Sequence, residues 1–148
     1  MTREKQLCTF VLDSFLMGIE VEDVREVMRN QPITMVPMAP KEIRGLINLR
    51  GQIVPVVDLR CRLELSDCDA DRVPVLMIVE PDAQTVGLLV DRVEDVIDVA
   101  EEDCEPPPGT LQGIGRELIR SAYKLPDRLL LVLDVRRVVD VDAVPVCS

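Results

Sequence analysis

Two aspartates, Asp58 and Asp134, occupy the same place in the matching segments VVDLR and VLDVR. Paired carboxylates are what acid–base hydrolysis uses, one held protonated and the other ionised. An aspartic dyad is presented on a tight turn in which Asp is followed by Thr or Ser and then Gly, whereas these aspartates precede Leu-Arg and Val-Arg. A carboxylate in that setting accepts from the free N–H groups of a helix start, so both are expected to be N-caps. The chain has no histidine, which removes the commonest general base and the triads built on it. Its cysteines, Cys8, Cys61, Cys68, Cys104 and Cys147, are odd in number and contain no C-x-x-C pair. Zinc spacing is therefore missing, and the cysteines are expected to be small buried or surface thiols. No catalytic residue, metal or cofactor is expected.

Composition narrows the remaining classes. A chain of 148 residues with 47% hydrophobic residues can bury the core of one ordinary domain. The net charge of -10 argues against nucleic acid and anionic membranes, which are bound through clustered Lys and Arg. An aromatic content of 2% removes most platforms for base stacking. The start MTREKQL lacks an apolar signal core, and no apolar run approaches the ~20 residues of a membrane span. A cytoplasmic, monomeric protein is expected.

The elements that would position any site are mostly strands. Segments 7–12, 16–19, 34–36, 46–49, 53–57, 75–79, 86–90, 117–123 and 129–133 are short, apolar or β-branched, and bounded by Asp, Gly or Pro. Residues 21–29 read differently: Val21, Val24 and Met28 recur at helical spacing, with acidic residues near the start, which predicts a helix. A second short helix is predicted at 40–44, between Pro40 and Gly45. The chain also repeats itself. GIEVEDVREVM from Gly18 aligns with GLLVDRVEDVI from Gly87, and VVDLR from Val56 aligns with VLDVR from Val132. Two similar small barrels sharing a hydrophobic interface would explain the repeat, with the acidic stretch 67–71 as the loop between them.

One stretch joins buried-looking strands through a charged turn: GLINLRGQIVPVVDLR, Gly45 to Arg60. Alternation puts Ile47 and Leu49 on one side and Asn48 and Arg50 on the other, and Gly51 permits the reversal into Ile53. Pro55 predicts an edge or bulged return strand. Arg50 is thus held at a rigid tip, where it either contacts a partner or braces its own surroundings. Asn48 on the same face favours the brace. Glu26, on the predicted helix, is expected to pair with Arg29.

Together these residues resemble the CheW family of bacterial chemotaxis coupling proteins. The resemblance is carried by G-I-x-V-x-x-V-x-E-V, by I-x-G-L-I-N-L-R-G-x-I-V-P-V-V-D-L-R, by V-G-L-L-V-D-x-V-x-D-V and by D-R-L-L-L-V-L-D. It implies a mainly β fold of two intertwined five-stranded SH3-like β-barrel subdomains with a few short helices. Residues 1–148 would be one CheW-like domain, with subdomain 1 at about 14–66 plus the C-terminal segment and subdomain 2 at about 72–134. The implied role is a non-enzymatic adaptor linking chemoreceptor tips to the regulatory domain of the histidine kinase CheA; the kinase itself is excluded because a chain without histidine has no phosphoacceptor. A similar scaffold in a pathway controlling pili or gene expression is the alternative. Carried over by position, Val24, Glu26, Val27, Gly45, Asn48, Arg50 and Gly51 border the receptor groove. Val86, Leu88, Val90, Leu129, Leu131 and Leu133 hold the main kinase contact, and the proline loop at 105–109 serves a second one.

Overall fold

In a computed structural model of the chain, residues 4–29, 31–65, 75–107 and 117–140 are described. The acidic stretch 67–71, Cys68, Cys147 and the end of the proline loop lie outside them. Among the described residues, eleven strands and two short helices follow one another as β1 Glu4–Leu12, β2 Phe15–Glu20, β3 Val24–Arg29, β4 Ile43–Leu49, β5 Gln52–Asp58, α1 Leu59–Arg62, β6 Val75–Val79, β7 Val86–Val90, β8 Arg92–Ala100, β9 Cys104–Glu105, β10 Ile119–Lys124, β11 Leu129–Leu133 and α2 Val135–Val139. One sheet runs β3-β6-β7-β5-β4 and the other β8-β1-β2-β11-β10-β9.

The two orders are the same order. The sequence repeat equates β2 with β7, β3 with β8 and β5 with β11, and the matching sheet orders extend this to β1 with β6 and β4 with β10. Each half of the chain therefore lends a hairpin to the barrel built mainly by the other half. The parallel junctions prove the register: Val56 pairs with Gly87, and Val132 pairs with Gly18. These are the residues that the repeat aligned. Hydrogen bonding thus divides the chain differently from the expected ranges, with 75–90 in the first barrel and 4–20 in the second. Sheets of five and six strands fit two SH3-like subdomains, the sixth being the two-residue β9.

This exchange explains the uninterrupted apolar runs. Leu76, Ile78 and Leu89 face the interior of the first barrel with Ile47, Leu49, Val54 and Val56. Leu130 and Val132 fill the second with Leu7, Leu16, Val99 and Tyr123. The alternate residues Val75, Met77, Val79, Val86, Leu88, Val90, Leu131 and Leu133 meet Phe10, Leu12, Met17 and Ile19 in a third cluster between the barrels. A strand buried on both faces needs apolar side chains at every position.

Several local expectations are corrected. Residues 21–29 are not a helix: a 3-10 turn at Val21–Asp23 leads into β3. Pairing with β6 overrides the weak helical periodicity, because β-branched valines fit a pleated strand. The expected helix at 40–44 is absent: a turn closed by Ile43 N–H donating to Pro40 O leads directly into β4, which already includes residues 43 and 44. Pro55 lies inside the sheet, not at an edge. Its partner Leu46 directs both its N–H and its C=O to Thr34, and pairing with β7 starts only at Val56, so no ladder bond is asked of the proline. The residues 92–100, read only as part of the repeat, form the long edge strand β8.

Both aspartate caps are present. Asp58 accepts from Cys61 N–H and Asp134 from Arg137 N–H, at 3.3 Å each. The helix that Asp58 starts carries two arginines that tie the barrels together. Arg60 forms a two-pronged ion pair with Asp91, Nε to Oδ1 2.8 Å, with both side chains almost fully buried. Arg62 donates to the carbonyl oxygens of Arg137 and Val138 at the end of α2. The counterpart of Arg60 in the repeat, Arg136, is exposed and pairs with Asp82 at 2.9 Å.

Candidate functional site

The NLRG segment closes β4 onto β5 with Leu49 opposite Gln52, leaving Arg50 and Gly51 as a two-residue loop. Both have positive φ, 51° and 86°, the type I′ geometry whose twist matches a hairpin. Asn48 closes the turn by accepting from Gly51 N–H at 2.9 Å. Arg50 therefore sits in the turn itself, not on the strand face with Asn48, and an arginine there carries strain that glycine or asparagine would avoid.

The Arg50 side chain crosses to the opposite edge strand of the same sheet. Its Nη1 and Nη2 donate to the two carboxylate oxygens of Glu26 at 2.8 and 3.1 Å, a fork-to-fork pair. Glu26 thus pairs with Arg50, not with Arg29 as its spacing predicted. The pair joins β3 to the β4–β5 tip, whereas the brace expected of Arg50 was a local network with Asn48. Arg50 remains 68% exposed, so the brace is a solvated one that leaves the guanidinium edge open to a partner.

The structure brings together Glu26, Asn48, Arg50 and Gly51, and separates the rest. Gly45 is buried within β4; a Cβ there would stand 2.3 Å from the backbone oxygen of Thr34, so glycine is what lets Thr34 bridge to Leu46. Val24 packs on the inter-barrel cluster. Val27 alternates with Glu26 and Met28 along β3 and is exposed on the other side of the strand. Ile53, the cross-strand partner of Asn48, is 42% exposed beside it and was not among the expected site residues. Met35 and Met38, after β3, are more exposed still. An apolar side chain next to a charged turn is the available signal, and proline-flanked methionines offer adaptable apolar surface.

The set assigned to a kinase contact has a different location. Val86, Leu88, Val90, Leu131 and Leu133 are buried between the two barrels of this same chain, and only Leu129 is partly exposed. Alternation alone could not tell a seam inside the chain from an edge facing a partner. Asp58 and Asp134 are each engaged locally, Asp58 with Arg44 and Asp134 with Arg137. Among the described residues no group of three or more His, Cys, Asp or Glu is placed to hold a metal ion, and no helix is long and apolar enough to cross a membrane.

A family model described as a CheW-like domain matches residues 6–143. This chain belongs to the CheW-like family. Among CheW relatives, the chemotaxis protein CheW of Bacillus subtilis is 35% identical over 140 residues, covering 94% of this chain and 88% of that one. The chemotaxis protein CheW of Treponema pallidum is 32% identical over 136 residues, covering 89% and 80%. The crystal structure of the scaffolding protein TtCheW from Thermoanaerobacter tengcongensis superposes with a TM-score of 0.85 at 33% identity, covering 95% of each chain. The CheW fold, two SH3-like subdomains, is thus the fold of this protein.

Proposed function

We propose that this chain is a non-enzymatic scaffold of a bacterial chemosensory complex, coupling the cytoplasmic tips of chemoreceptors to the regulatory domain of the kinase CheA. Membership of a family with relatives named for chemotaxis, and with a solved scaffolding member, supports the class of function. The observation that carries the site is an arginine kept in a left-handed turn and clamped to Glu26 across the sheet while most of its surface stays open. Strain of this kind persists where the position is used. Receptor tips are helical hairpins. Arg50 and Asn48 would set the register of such a helix through polar contacts, while Ile53 offers it an apolar footing. Val24 and Gly45 support the site from within, and Val27 lies at its outer margin. The protein acts in the cytoplasm, beside the receptors.

The test is a pull-down by purified receptor tips of Arg50→Ala and Glu26→Ala, with a melting curve for each. The reading expects both variants to melt cooperatively and to lose receptor binding, while keeping the kinase regulatory domain. Normal receptor binding by both would reduce the hairpin to a structural turn and place the site elsewhere.

A further inference from the structure

The repeat gives the chain two versions of one corner. Where the parallel strands β5 and β7 end, Arg60 lies between two carboxylates: its Nε donates to Asp91 at 2.8 Å, and its Nη1 stands 3.7 Å from Asp13. The repeat equates Arg60 with Arg136 and Asp91 with Glu22. Asp13 and Asp82 hold the same place in the β1–β2 and β6–β7 turns, both with positive φ, 58° and 50°. Where the parallel strands β11 and β2 end, the arginine has turned outward. Arg136 pairs with Asp82 at 2.9 Å and is 72% exposed. A cavity of about 410 Å³ opens at this corner, lined in part by Glu20, Glu22, Asp23, Arg120, Asp134 and Arg136. Glu20 is engaged by Lys5 and Arg120, at 3.4 and 3.5 Å, and Asp134 by the start of α2 and by Arg137. Neither the Glu22 nor the Asp23 side chain has a hydrogen bond or ion pair among the described residues.

We propose that this cavity binds a guanidinium group from outside the chain, with Glu22 as its main acceptor and Asp23 beside it. The first half of the molecule shows the same corner with a guanidinium in place, that of Arg60 on the carboxylate equivalent to Glu22. A planar guanidinium and a carboxylate meet through two parallel hydrogen bonds, which fixes orientation as well as charge. Four carboxylates against two arginines in the lining favour a cation. The volume is in the range of small-ligand sites and exceeds what one guanidinium needs. Arg120 and Arg136, which are exposed, leave donors for the carbonyl or carboxylate end of an arginine. Free arginine and an arginine side chain of a partner protein present the same group to the cavity. None of the residues proposed to meet the receptor lines it, so the two sites can fail separately.

The test is an NMR titration of the isotope-labelled full chain with L-arginine, N-acetyl-L-arginine amide and N-acetyl-L-citrulline amide, the last carrying a neutral urea in place of the guanidinium. An arginine ligand is expected to saturate with a midpoint of about 1 mM at low salt, as suits a partly solvated ion pair. The shifted amides should be those of residues 20–23 and 134–136, and the citrulline amide should bind at least about tenfold more weakly than its arginine parent. Glu22→Gln should weaken binding at least about tenfold, while Glu22→Asp, which restores the carboxylate found in the first half, should retain it; both should melt like the wild type, since the residue is exposed. The two arginine ligands carry the same net charge, so their ratio reports the source. Equal midpoints, or tighter binding of the capped form, assign the site to an arginine side chain of a protein, and tighter binding of L-arginine assigns it to the free amino acid. No saturable binding of either arginine ligand, a citrulline amide that binds as well as its parent, or a Glu22→Gln variant that binds unchanged would each overturn the proposal.

Discussion

Removing the Asp91 carboxylate should damage this fold more than any change at the NLRG turn. Asp91 and Arg60 are 6% and 10% exposed at their side chains, and their pair joins the helix after β5 to the corner between β7 and β8. Asp91 Oδ2 also accepts from Asp13 N–H at 2.8 Å, which brings in the β1–β2 turn. Asp91→Ala leaves a guanidinium buried with its main counter-charge gone, at a cost of roughly 3 to 5 kcal/mol. Replacing both residues, as Arg60→Met with Asp91→Leu, removes the desolvation of both charges and should return stability to within about 1 to 2 kcal/mol of wild type. The measurement is urea denaturation followed by far-UV circular dichroism, with the slope checked for constancy so that midpoints report stability alone. The double variant must be far more stable than the sum of the single changes implies. An Asp91→Ala cost below about 1 kcal/mol would show that the pair is solvated, and the inter-barrel joint would have to be credited to apolar packing alone.

Arg50→Ala should cost less than about 1 kcal/mol, because the Glu26 pair is exposed. Arg50→Gly should be as stable as wild type or about 0.5 to 1 kcal/mol more so, since it relieves the left-handed strain; melting midpoints of both, read beside a receptor pull-down that fails, separate function from stability. Gly45→Ala, placing Cβ 2.3 Å from the Thr34 oxygen, should cost about 2 to 4 kcal/mol through strain and loss of the Thr34–Leu46 bonds, measured by the same denaturation. Asp23 has its pKa raised, first by burial and then by Glu20, Glu22 and Asp82, against an opposing effect of Arg136. Its contribution to stability is thus present below its unfolded pKa and lost as pH rises through its folded one. Asp23→Asn should raise the melting temperature near pH 7 and lose that advantage below about pH 3, and a gain that is constant with pH would refute the assignment.

How legible each feature was depended on whether its cause is local. The strands 75–79, 86–90 and 129–133 were readable to the residue, because chain segments buried on both faces must be apolar throughout. The caps at Asp58 and Asp134 were readable because the carboxylate and the N–H groups it satisfies are three residues apart. The span 21–29 misled because valines at helical spacing also suit a bulged strand, and only the partner β6 decides between them. The buried kinase set misled for a similar reason: an apolar face does not reveal whether its cover belongs to the same chain.

The family, the duplication, the mainly β class and the position of the charged turn are all written in residue type and spacing along the chain. The exchange of hairpins between the two halves, the reach of Arg50 to Glu26 and the burial of Arg60 on Asp91 emerge only in three dimensions. Each of these joins residues far apart in the chain. A side chain's pattern records that it needs a partner of a given chemistry. Which partner it meets depends on how the strands are ordered in space, and that order is set by burying all three apolar clusters at once.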